Sequence, residues 1–486
     1  MRRETTLGLV VVTLAATGAL FAGCASFEAD ICAYAKCDAD GSTADGPTPS
    51  EGGGPDANTP DGDVPPVGCD SLNEPLKNPE KCFTNENWAY VKDGGDDLGP
   101  GTKEKPFGSL AKALSSAKLR IAICSGTYFE SVEVKRDVTI QSGFACDFAK
   151  AGPKAKVVGT KPEFAVSIMK PAGNVAVRDL EIEAAEGTAA SVNSVGIVAN
   201  EVGRVSLFGA SVTAKKGFDG AEGAGGTTLS YASGGPGTGN PGDAAKAGET
   251  KSCTCVGGSL TAGGAGGAPA VPNGSPGGES IPPDPPSQTG AGGTAGGDCV
   301  EGLGKRGAIR TDASDAVKSV VLGAVSGGRW TPANGNDGPS GLAGQGGGGG
   351  ASLGSNSYGG SGGCGGCGGS GGKAGGGGGA SIALLADGAF VSINASTLKS
   401  GAGGAGGAGG GSLSGCGGGT GGKGGNGGAG GGGPGGISYG VVYKGTKPDL
   451  TSTNVSVGMP GKGGTNGAGV TEHGPGGTAG ELLEGR

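Results

Sequence analysis

Aliphatic residues recur along the chain as triplets with one fixed spacing. Three triplets share offsets of two and seven residues, and a fourth fits with a polar middle member: Val175, Val177 and Ile182; Val205, Leu207 and Val212; Val391, Ile393 and Leu398; and Leu450, Ser452 and Val457. A step of two keeps both side chains on one face of a strand, whereas the odd step that follows requires a bend. The pattern therefore predicts a strand, a corner and a second strand in every repeat.

A second apolar pair precedes each triplet by seven to ten residues: Val166 and Ile168, Val195 and Ile197, Ile382 and Leu384, and Val441 and Tyr443. A unit of this size cannot bury a face alone, so stacking successive units is the simplest way to build a core. The pattern predicts one folded body of short stacked strands.

The amino-terminal end of this body has a different pattern. Phe107, Leu110, Ala111, Leu114 and Ala117 recur at helical spacing behind Pro106, which predicts a short amphipathic helix. The runs RIAIC, SVEV and VTIQ follow as short strands separated by turn residues. This order is typical of a solenoid whose end is capped by a helix.

Three of the four triplets run directly into glycine, in AKKGFDGAEGAGG, LKSGAGGAGGAGG and VGMPGKGGTNGAG. The tracts therefore leave from equivalent corners, and such inserts emerge on one side of a stack. Within SGGCGGCGGSGGK every third residue carries a side chain, which fits a polyproline-II-like helix packed through its glycine ridges. Flexible, disordered loops are the default expectation for such composition, and the two alternatives stay open.

A resemblance rests on Asp93 to Thr102, Lys105 to Phe107, the CSGTY stretch ending at Tyr128, and Gly143 to Cys146. These residues resemble the opening of secreted parallel β-helix proteins of the pectin-lyase-like class. The whole chain resembles a Gram-negative lipoprotein family in which glycine-rich inserts interrupt such a helix. The motifs cover about residues 69–215, and composition carries the remainder. The resemblance implies an all-β fold: a right-handed parallel β-helix with a short N-terminal capping α-helix and long glycine-rich loop insertions.

The amino-terminal segment has the composition of an export signal. Arg2 and Arg3 precede an apolar run that ends in small residues before Cys24. The stretch LFAGC resembles the lipobox of bacterial lipoproteins, which implies acylation of Cys24, anchoring to a lipid bilayer and, because Ala25 follows, outer-membrane sorting. The alternative is a plain secreted protein cut at the same place. Whether the chain faces the periplasm or the cell surface is left open.

These patterns give the expected domain organisation. Residues 1–23 form the lipoprotein signal peptide, 24–68 a lipid-anchored acidic linker rich in proline and glycine, and 69–118 a disulfide-closed cap segment with the capping helix. Residues 119–460 form the β-helix, interrupted by glycine-rich inserts at about 217–300, 335–380 and 400–436, and 461–486 form a glycine-rich tail.

Thirteen cysteines in an exported chain indicate disulfides, because an even number remains once Cys24 is set aside. Cys69 and Cys82 close a short loop and are expected to pair. Cys124 and Cys146 come within disulfide reach if they lie one rung apart, since neighbouring strands are ~4.8 Å apart.

Cys364 and Cys367 would lie ~9 Å apart on a three-residue helix, too far to bridge each other. Cys416 on the next tract is then the expected partner for one of them. A bent CGGC turn that bridges or holds zinc is the alternative.

Composition narrows the function classes. The net charge of −8 and the pI near 5.0 argue against nucleic-acid binding. With 118 glycines, Gly-x-Gly-x-x-Gly matches arise by chance and none opens a helix after a strand, so no nucleotide cofactor is expected. Aromatic residues make up 4% of the chain, which disfavours a long sugar-stacking groove.

Candidate chemistry is sparse. β-Helix pectinases carry clustered aspartates with a nearby His-Gly and an Arg-x-Lys element, whereas the single histidine here, His473, lies in EHGPGG. Asp93, Asp96 and Asp97 are weak calcium candidates, and a turn-capping role is the simpler interpretation. For Asp312 and Asp315, the simpler role is to begin a short helix or strand, with Asp312 or Ser314 as the cap.

The expected function is therefore that of a cell-envelope lipoprotein without catalytic activity. Its β-helix and glycine-rich extrusions would form a structural, adhesive or interaction surface, with polysaccharide or surface proteins as candidate partners. A polysaccharide-binding or polysaccharide-degrading β-helix protein, a lyase or glycosidase in the second case, is the alternative.

Overall fold

The computed structural model describes residues 65–170, 173–227, 229–233, 246–281, 290–292, 294, 305–306, 308, 312–352, 358–412, 421–469 and 474–486. The chain divides into two compact units, Met1–Ala57 and Asn58–Arg486, and every described residue belongs to the second. The predicted signal peptide, Cys24 and nearly all of the predicted linker lie outside the described residues.

The first part of the described chain contains two short α-helices and twelve strands. They are a 3₁₀ turn at Pro75–Lys77, α1 (Pro79–Cys82), β1 (Trp88–Val91), α2 (Leu110–Leu114), β2 (Arg120–Cys124), β3 (Thr127–Phe129), β4 (Val132–Val134), β5 (Val138–Phe144), β6 (Lys156–Val158), β7 (Val166–Met169), β8 (Asn174–Arg178), β9 (Glu181–Glu183), β10 (Ser194–Asn200), β11 (Arg204–Phe208) and β12 (Ser211–Thr213).

Six short strands follow within a long glycine-rich excursion: β13 (Tyr231–Ser233), β14 (Ser252–Cys255), β15 (Leu260–Ala262), β16 (Gly278–Ile281), β17 (Gly323–Ser326) and β18 (Arg329–Pro332). The last part of the chain adds β19 (Ser381–Asp387), β20 (Phe390–Asn394), β21 (Thr397–Lys399), β22 (Ser438–Lys444), β23 (Asp449–Thr451), β24 (Asn454–Ser456) and β25 (Ala479–Glu484). The segment predicted as a glycine-rich tail thus contributes a strand.

Three parallel sheets contain most of these strands, and the protein is nearly all β. Strands β13–β16 form a separate antiparallel sheet, and β17 and β18 form an antiparallel hairpin. Sheet A has the order β1-β2-β5-β8-β11-β20-β23, sheet B the order β3-β6-β9-β12-β21-β24, and sheet C the order β4-β7-β10-β19-β22-β25. From β4 onward, successive strands of these three sheets visit C, A and B in turn, so each pass of the chain adds one strand to every sheet.

The repeated triplets lie over one another in these sheets. Val175, Val205 and Val391 are in register in sheet A, and Ile182, Val212 and Leu398 are in register in sheet B. The fourth triplet was predicted in the wrong register. Leu450 pairs with Ile393, and Val455 rather than Val457 pairs with Leu398. Five residues separate the last inward residue in sheet A from the inward residue in sheet B in all four passes, as in Leu450 and Val455.

The preceding apolar pairs form sheet C, but with a shift that the sequence does not reveal. Ile197 pairs with Val166 on one side and with Leu384 on the other. Val195 and Ile382 pack instead in a second hydrophobic cluster, against Trp330 of the β17–β18 hairpin. Sheet C is therefore apolar on both faces in this region, and a strand buried on both faces loses its two-residue alternation.

The inward side chains of all three sheets belong to one hydrophobic cluster, which includes Val166, Val175 and Ile182. Leu110 and Ala113 of α2 belong to the same cluster and are fully buried. Ser109 caps this helix, since its side chain accepts a hydrogen bond from the Lys112 N–H. The predicted capping helix is present, shorter than the apolar pattern suggested.

All long glycine-rich excursions leave sheet B and return to sheet C. They connect β12 to β19, β21 to β22 and β24 to β25. Because β10 pairs directly with β19, the inserts predicted at 217–300 and 335–380 are parts of one excursion. The prediction of equivalent corners is confirmed.

A column of buried serines marks this corner. Ser194, Ser381 and Ser438 stand in register in sheet C and are fully buried. The Ser381 hydroxyl accepts from the Gly401 N–H at 2.8 Å, and the Ser438 hydroxyl donates to the Gly401 carbonyl at 2.7 Å. These hydroxyls fix the point at which the chain leaves the sheets, because a buried backbone group needs a partner.

Candidate functional site

The glycine tracts pack as extended segments joined by backbone hydrogen bonds at every third residue. The N–H groups of Gly217, Gly220 and Gly223 donate to the carbonyls of Ala402, Ala405 and Ala408 at 2.7–3.0 Å. No glycine of the 401–411 segment has a positive φ. A three-residue turn without internal hydrogen bonds is the geometry of a polyproline-II-like helix. The bundle alternative is therefore the one observed, and the described tracts are ordered.

In segment 401–411, successive residues of each three-residue turn form backbone hydrogen bonds with different neighbouring segments. Its glycines 403, 406 and 409 donate to segment 458–467, and glycines 404, 407 and 410 donate to segment 359–379. Its carbonyls accept from segment 217–226 and from segment 422–436. One segment thus has four neighbours, and the interior of the bundle consists of backbone.

The segments approach too closely for side chains at the glycine positions that face a neighbouring segment. A Cβ atom added to Gly407 would lie 1.9 Å from the Ala221 carbonyl oxygen, and one added to Gly406 would lie 2.0 Å from that of Gly433. Ala402, Ala405 and Ala408 are only half-buried and occupy the third ridge. The alanine period in GAGGAGGAGGG therefore records which ridge faces outward. We call the described segments 217–226, 335–350, 359–379, 401–411, 422–436 and 458–467 the glycine bundle.

Carboxylates complete the hydrogen bonding at the rim of the glycine bundle. The N–H of Ala405 donates to Asp219 and the N–H of Ala374 donates to Asp337, both at 2.8 Å. These N–H groups belong to outward ridges, which have no glycine segment opposite them. An aspartate on an adjacent segment supplies the missing acceptor.

Asp312 and Asp315 have the same role. They accept from the N–H groups of Asn426 and Ala429 at 2.8 and 3.0 Å, and residues 312–316 form neither a helix nor a strand. The prediction that Asp312 or Ser314 caps such an element was wrong. The three-residue spacing of these aspartates matches that of the glycine helix on which they dock.

Asp337 is the rim carboxylate with the clearest electrostatic perturbation. A hydrogen bond from the Lys373 ammonium, followed by one from the Ala374 N–H, holds the pKa of Asp337 below its usual value. The Lys373 Nζ lies 2.8 Å from Asp337 Oδ2. Both side chains are about half exposed, so the pair contributes little at high ionic strength.

The contribution of Asp337 to stability should depend on pH. A carboxyl whose folded-state pKa is lowered stabilises the protein above its unfolded pKa of about 3.9, and this stabilisation disappears as the pH falls through the lower folded value. The thermal unfolding midpoints of the native chain and Asp337→Asn should therefore differ at about pH 6 and coincide at about pH 2. An equal difference at both pH values would contradict this role.

Two disulfides attach the β13–β16 sheet to the middle of the glycine bundle. Cys253 bonds to Cys364 and Cys255 to Cys367, with Cα–Cα distances of 6.2 and 5.7 Å, and all four residues are buried. Neither Cys364 nor Cys367 pairs with Cys416, so that expectation was wrong, and the CGGC turn forms no internal bridge. Cys416 itself lies outside the described residues.

The partners Cys253 and Cys255 were missed from the sequence, although a signal was present. Alternate residues of a strand lie on one face at about 6.6 Å, and every third residue of a glycine helix repeats at about 9 Å. A Cys-x-Cys strand can therefore face a Cys-x-x-Cys glycine helix, with the side chains absorbing the difference.

The two expected disulfides near the amino-terminal end are present. Cys69 bonds to Cys82 and Cys124 to Cys146, with Cα–Cα distances of 4.9 and 4.8 Å. Cys124 and Phe144 are paired in neighbouring strands, so the second bond joins adjacent passes of the chain. Both disulfides brace the cap segment and the first strands.

Asp96 and Asp97, two of the three calcium candidates, act as turn and cap residues. Asp96 accepts from the Leu98 N–H at 2.9 Å, and Asp97 accepts from the N–H groups of Gly108 and Ser109 and from the Ser109 hydroxyl. Burial acts to raise the pKa of Asp97, but these hydrogen bonds outweigh it and hold that pKa below its usual value. Asp93 is exposed. In the part of the chain that the structure describes, no cluster of three or more acidic, histidine or cysteine side chains is arranged to hold a metal ion.

The outward face of sheet A is the second exposed surface with a distinctive composition. Phe208 and Phe390 are 43% and 58% exposed on it, and the Arg178 guanidinium lies 5.2 Å from the centre of the Phe208 ring. Ser392 donates to Ser206 at 3.2 Å between them. The described part of this face therefore combines polar and aromatic groups.

Comparison of the chain with protein-family models, with curated proteins and with solved structures gave no match. Among the described residues, no helix has the length and apolarity needed to cross a membrane. His473 lies outside them.

Proposed function

We propose that the protein is a lipid-anchored protein of the cell envelope that presents the glycine bundle as a structural, adhesive or interaction surface, without catalysis. The observation that carries this proposal is the regular backbone hydrogen bonding across the glycine bundle. A region that is poor in side chains acquires a fixed shape in this way, because each segment restrains its neighbours.

The scaffold of this surface is a right-handed parallel β-helix. Its support is the order in which the chain visits sheets C, A and B, the parallel pairing within each sheet, and the shared cluster of inward side chains. Right-handed crossovers are the rule for parallel strands joined in one body. A scaffold of this kind keeps all extrusions on one side.

Cys24 anchors the chain to the outer membrane, on its periplasmic or its outer side. Support comes from the basic residues, the apolar run and the LFAGC stretch that precede it. Several acyl chains bind a bilayer much more firmly than one. Incorporation of labelled fatty acid should be lost in Cys24→Ala, and retention of the label would place the acyl group elsewhere.

Recognition by the glycine bundle would rely on repetition. Its outward ridges repeat every three residues, about 9 Å along a segment. Each contact through a small side chain or a backbone group is weak, and many such contacts on a rigid surface add through avidity. The proposed partners are polysaccharides and surface proteins, which could make many such contacts along the repeated ridges.

The full chain in detergent, applied to an array of envelope polysaccharides and surface proteins, tests this function. We expect retention without release of reducing ends. Gly407→Ala, which disturbs the interior of the glycine bundle, should reduce retention, whereas Gly225→Ala, whose added Cβ would have its nearest neighbour 3.8 Å away, should not. Release of reducing ends by the native chain would favour the polysaccharide-degrading alternative and overturn the proposal.

A further inference from the structure

A cavity of about 420 Å³ lies between the cap segment and the carboxyl ends of strands β5 and β8 in sheet A. Glu74, Leu76, Gln141, Phe144, Lys154 and Asp179 are among the residues that line it. This volume is in the range of small-molecule sites. It is separate from the glycine bundle and lies on the outward face of sheet A, since its wall residue Gln141 pairs in register with Arg178.

Two acceptor groups in the wall of this cavity lack hydrogen-bond donors. Gln141 is 5% exposed and its amide nitrogen donates to the Asn73 carbonyl at 3.3 Å, but within the described residues its amide oxygen accepts no hydrogen bond. The Asp179 side chain likewise accepts none from the described residues. Gln141 is buried, and a buried acceptor normally has a partner, which a ligand is one way to supply. Asp179 is only half-buried, so solvent also reaches its carboxylate.

The electrostatics at Asp179 are unusual, whereas its backbone conformation is not. Its φ is +53°, and Gly209, Ala395 and Ser452, which follow the equivalent strands β11, β20 and β23, also have positive φ, so this conformation belongs to the corner between sheets A and B. Burial raises the pKa of Asp179, although Lys154 and Arg178 act to lower it. The Ser142 hydroxyl, which donates to the backbone carbonyl of Asp179, holds this residue in place.

The charges around the cavity define the ligand. Lys154 and Arg178 already balance Asp179, so a cationic ligand would face two positive groups. Glu74 also lines the cavity and is paired with Lys77. An anionic ligand would therefore face the carboxylates of Glu74 and Asp179. The ligand is therefore neutral, and it must both donate hydrogen bonds to the acceptors and accept one from the Lys154 ammonium. Leu76 and Phe144 provide apolar wall for the face of a ring.

We propose that this cavity binds a neutral polyhydroxylated ring of one or two sugar units, whose hydroxyls donate to the Asp179 carboxylate and the Gln141 amide oxygen and accept from Lys154. The site goes beyond the surface function proposed above and does not depend on it. Its loss would leave retention by the glycine bundle unchanged.

Calorimetric titration of the full chain in detergent tests the site with four probes: galactose, cellobiose, glucuronate and glucosamine. At least one neutral sugar should bind saturably, with the anionic and cationic probes about tenfold weaker or more. Asp179→Asn should weaken neutral binding by about tenfold or more, because hydrogen bonds to a charged group are strong. Asparagine also tolerates a positive φ, so the turn is preserved.

Asp93→Asn, at an exposed aspartate outside the cavity, is the matched control and should bind as the native chain does. Lys154→Gln provides a second variant with the cavity shape retained, and it should weaken binding as well. The site is overturned if neither neutral sugar saturates, if the charged probes bind equally well, or if Asp179→Asn and Asp93→Asn bind alike at matched thermal stability.

Discussion

Gly407→Ala should destabilise the protein by about 3 kcal/mol, the upper part of the usual range for overpacking. The added methyl group would lie 1.9 Å from the Ala221 carbonyl oxygen, a separation that Cβ atoms do not reach. Because the neighbour is backbone, no side-chain rotation relieves the contact. The neighbouring segment must move, and the hydrogen bonds from the Gly376 N–H to the Ala221 carbonyl and from the Gly220 N–H to the Ala405 carbonyl weaken with it. Chemical denaturation followed by far-ultraviolet circular dichroism gives the free energy of unfolding.

Gly225→Ala is the control for this result, since it makes the same chemical change in the same glycine bundle. The nearest atom to its added Cβ would be 3.8 Å away, and its φ is not positive. Stability should change by less than about 0.5 kcal/mol, as for an unremarkable surface substitution. Equal effects of the two substitutions would mean that interior and rim glycines are packed alike, contrary to the structure.

Replacing the four cysteines that attach strand β14 to the glycine bundle, Cys253, Cys255, Cys364 and Cys367, with alanine should cost about 4 kcal/mol. The two bonds close loops of 111 and 112 residues, and cross-linking a loop of this length removes much entropy from the unfolded chain. The free energy of unfolding, measured for the oxidised native chain and the fourfold variant, provides the check.

Removing only the Cys253–Cys364 bond should cost much less, about 1 kcal/mol, because Cys255–Cys367 still closes almost the same loop. This non-additivity distinguishes loop closure from local packing. If each single removal cost half of the fourfold change, the bonds would act locally and the account of the loop would fail.

The scaffold could be predicted from the sequence because its core has a strict period. Val175, Val205 and Val391 face inward at the same place in each pass, and burial selects the same residue type at each. The prediction of register failed in sheet C, where both faces of the strands are apolar. In sheet C, Val195 and Ile382 are apolar because the β17–β18 hairpin covers them, so counting apolar pairs gives the wrong register.

The default expectation of disorder failed for the described glycine tracts for a different reason. Arguments from composition count the apolar side chains available for burial, and such residues are rare in segment 401–411. The glycine bundle is held instead by backbone groups that meet at close range, for which the absence of side chains is a requirement. The position of alanine at every third residue was the informative feature.

The rim of the glycine bundle shows where sequence reasoning stops. Asp219, Asp337 and Asp312 look like isolated surface carboxylates in the chain, yet each accepts a hydrogen bond from a segment 37 to 186 residues away. Such partners depend on which segments become neighbours in the glycine bundle. The three-residue spacing of Asp312 and Asp315 indicates that they dock on a glycine helix. It does not identify which glycine segment they contact.

Amide hydrogen exchange resolved by mass spectrometry tests the ordered glycine bundle most directly. Peptides from segments 359–379 and 401–411 should be protected on a timescale similar to that of strands β10 and β19, because their N–H groups donate to carbonyls of adjacent segments. Complete exchange of these peptides within seconds, with the strands still protected, would contradict the account.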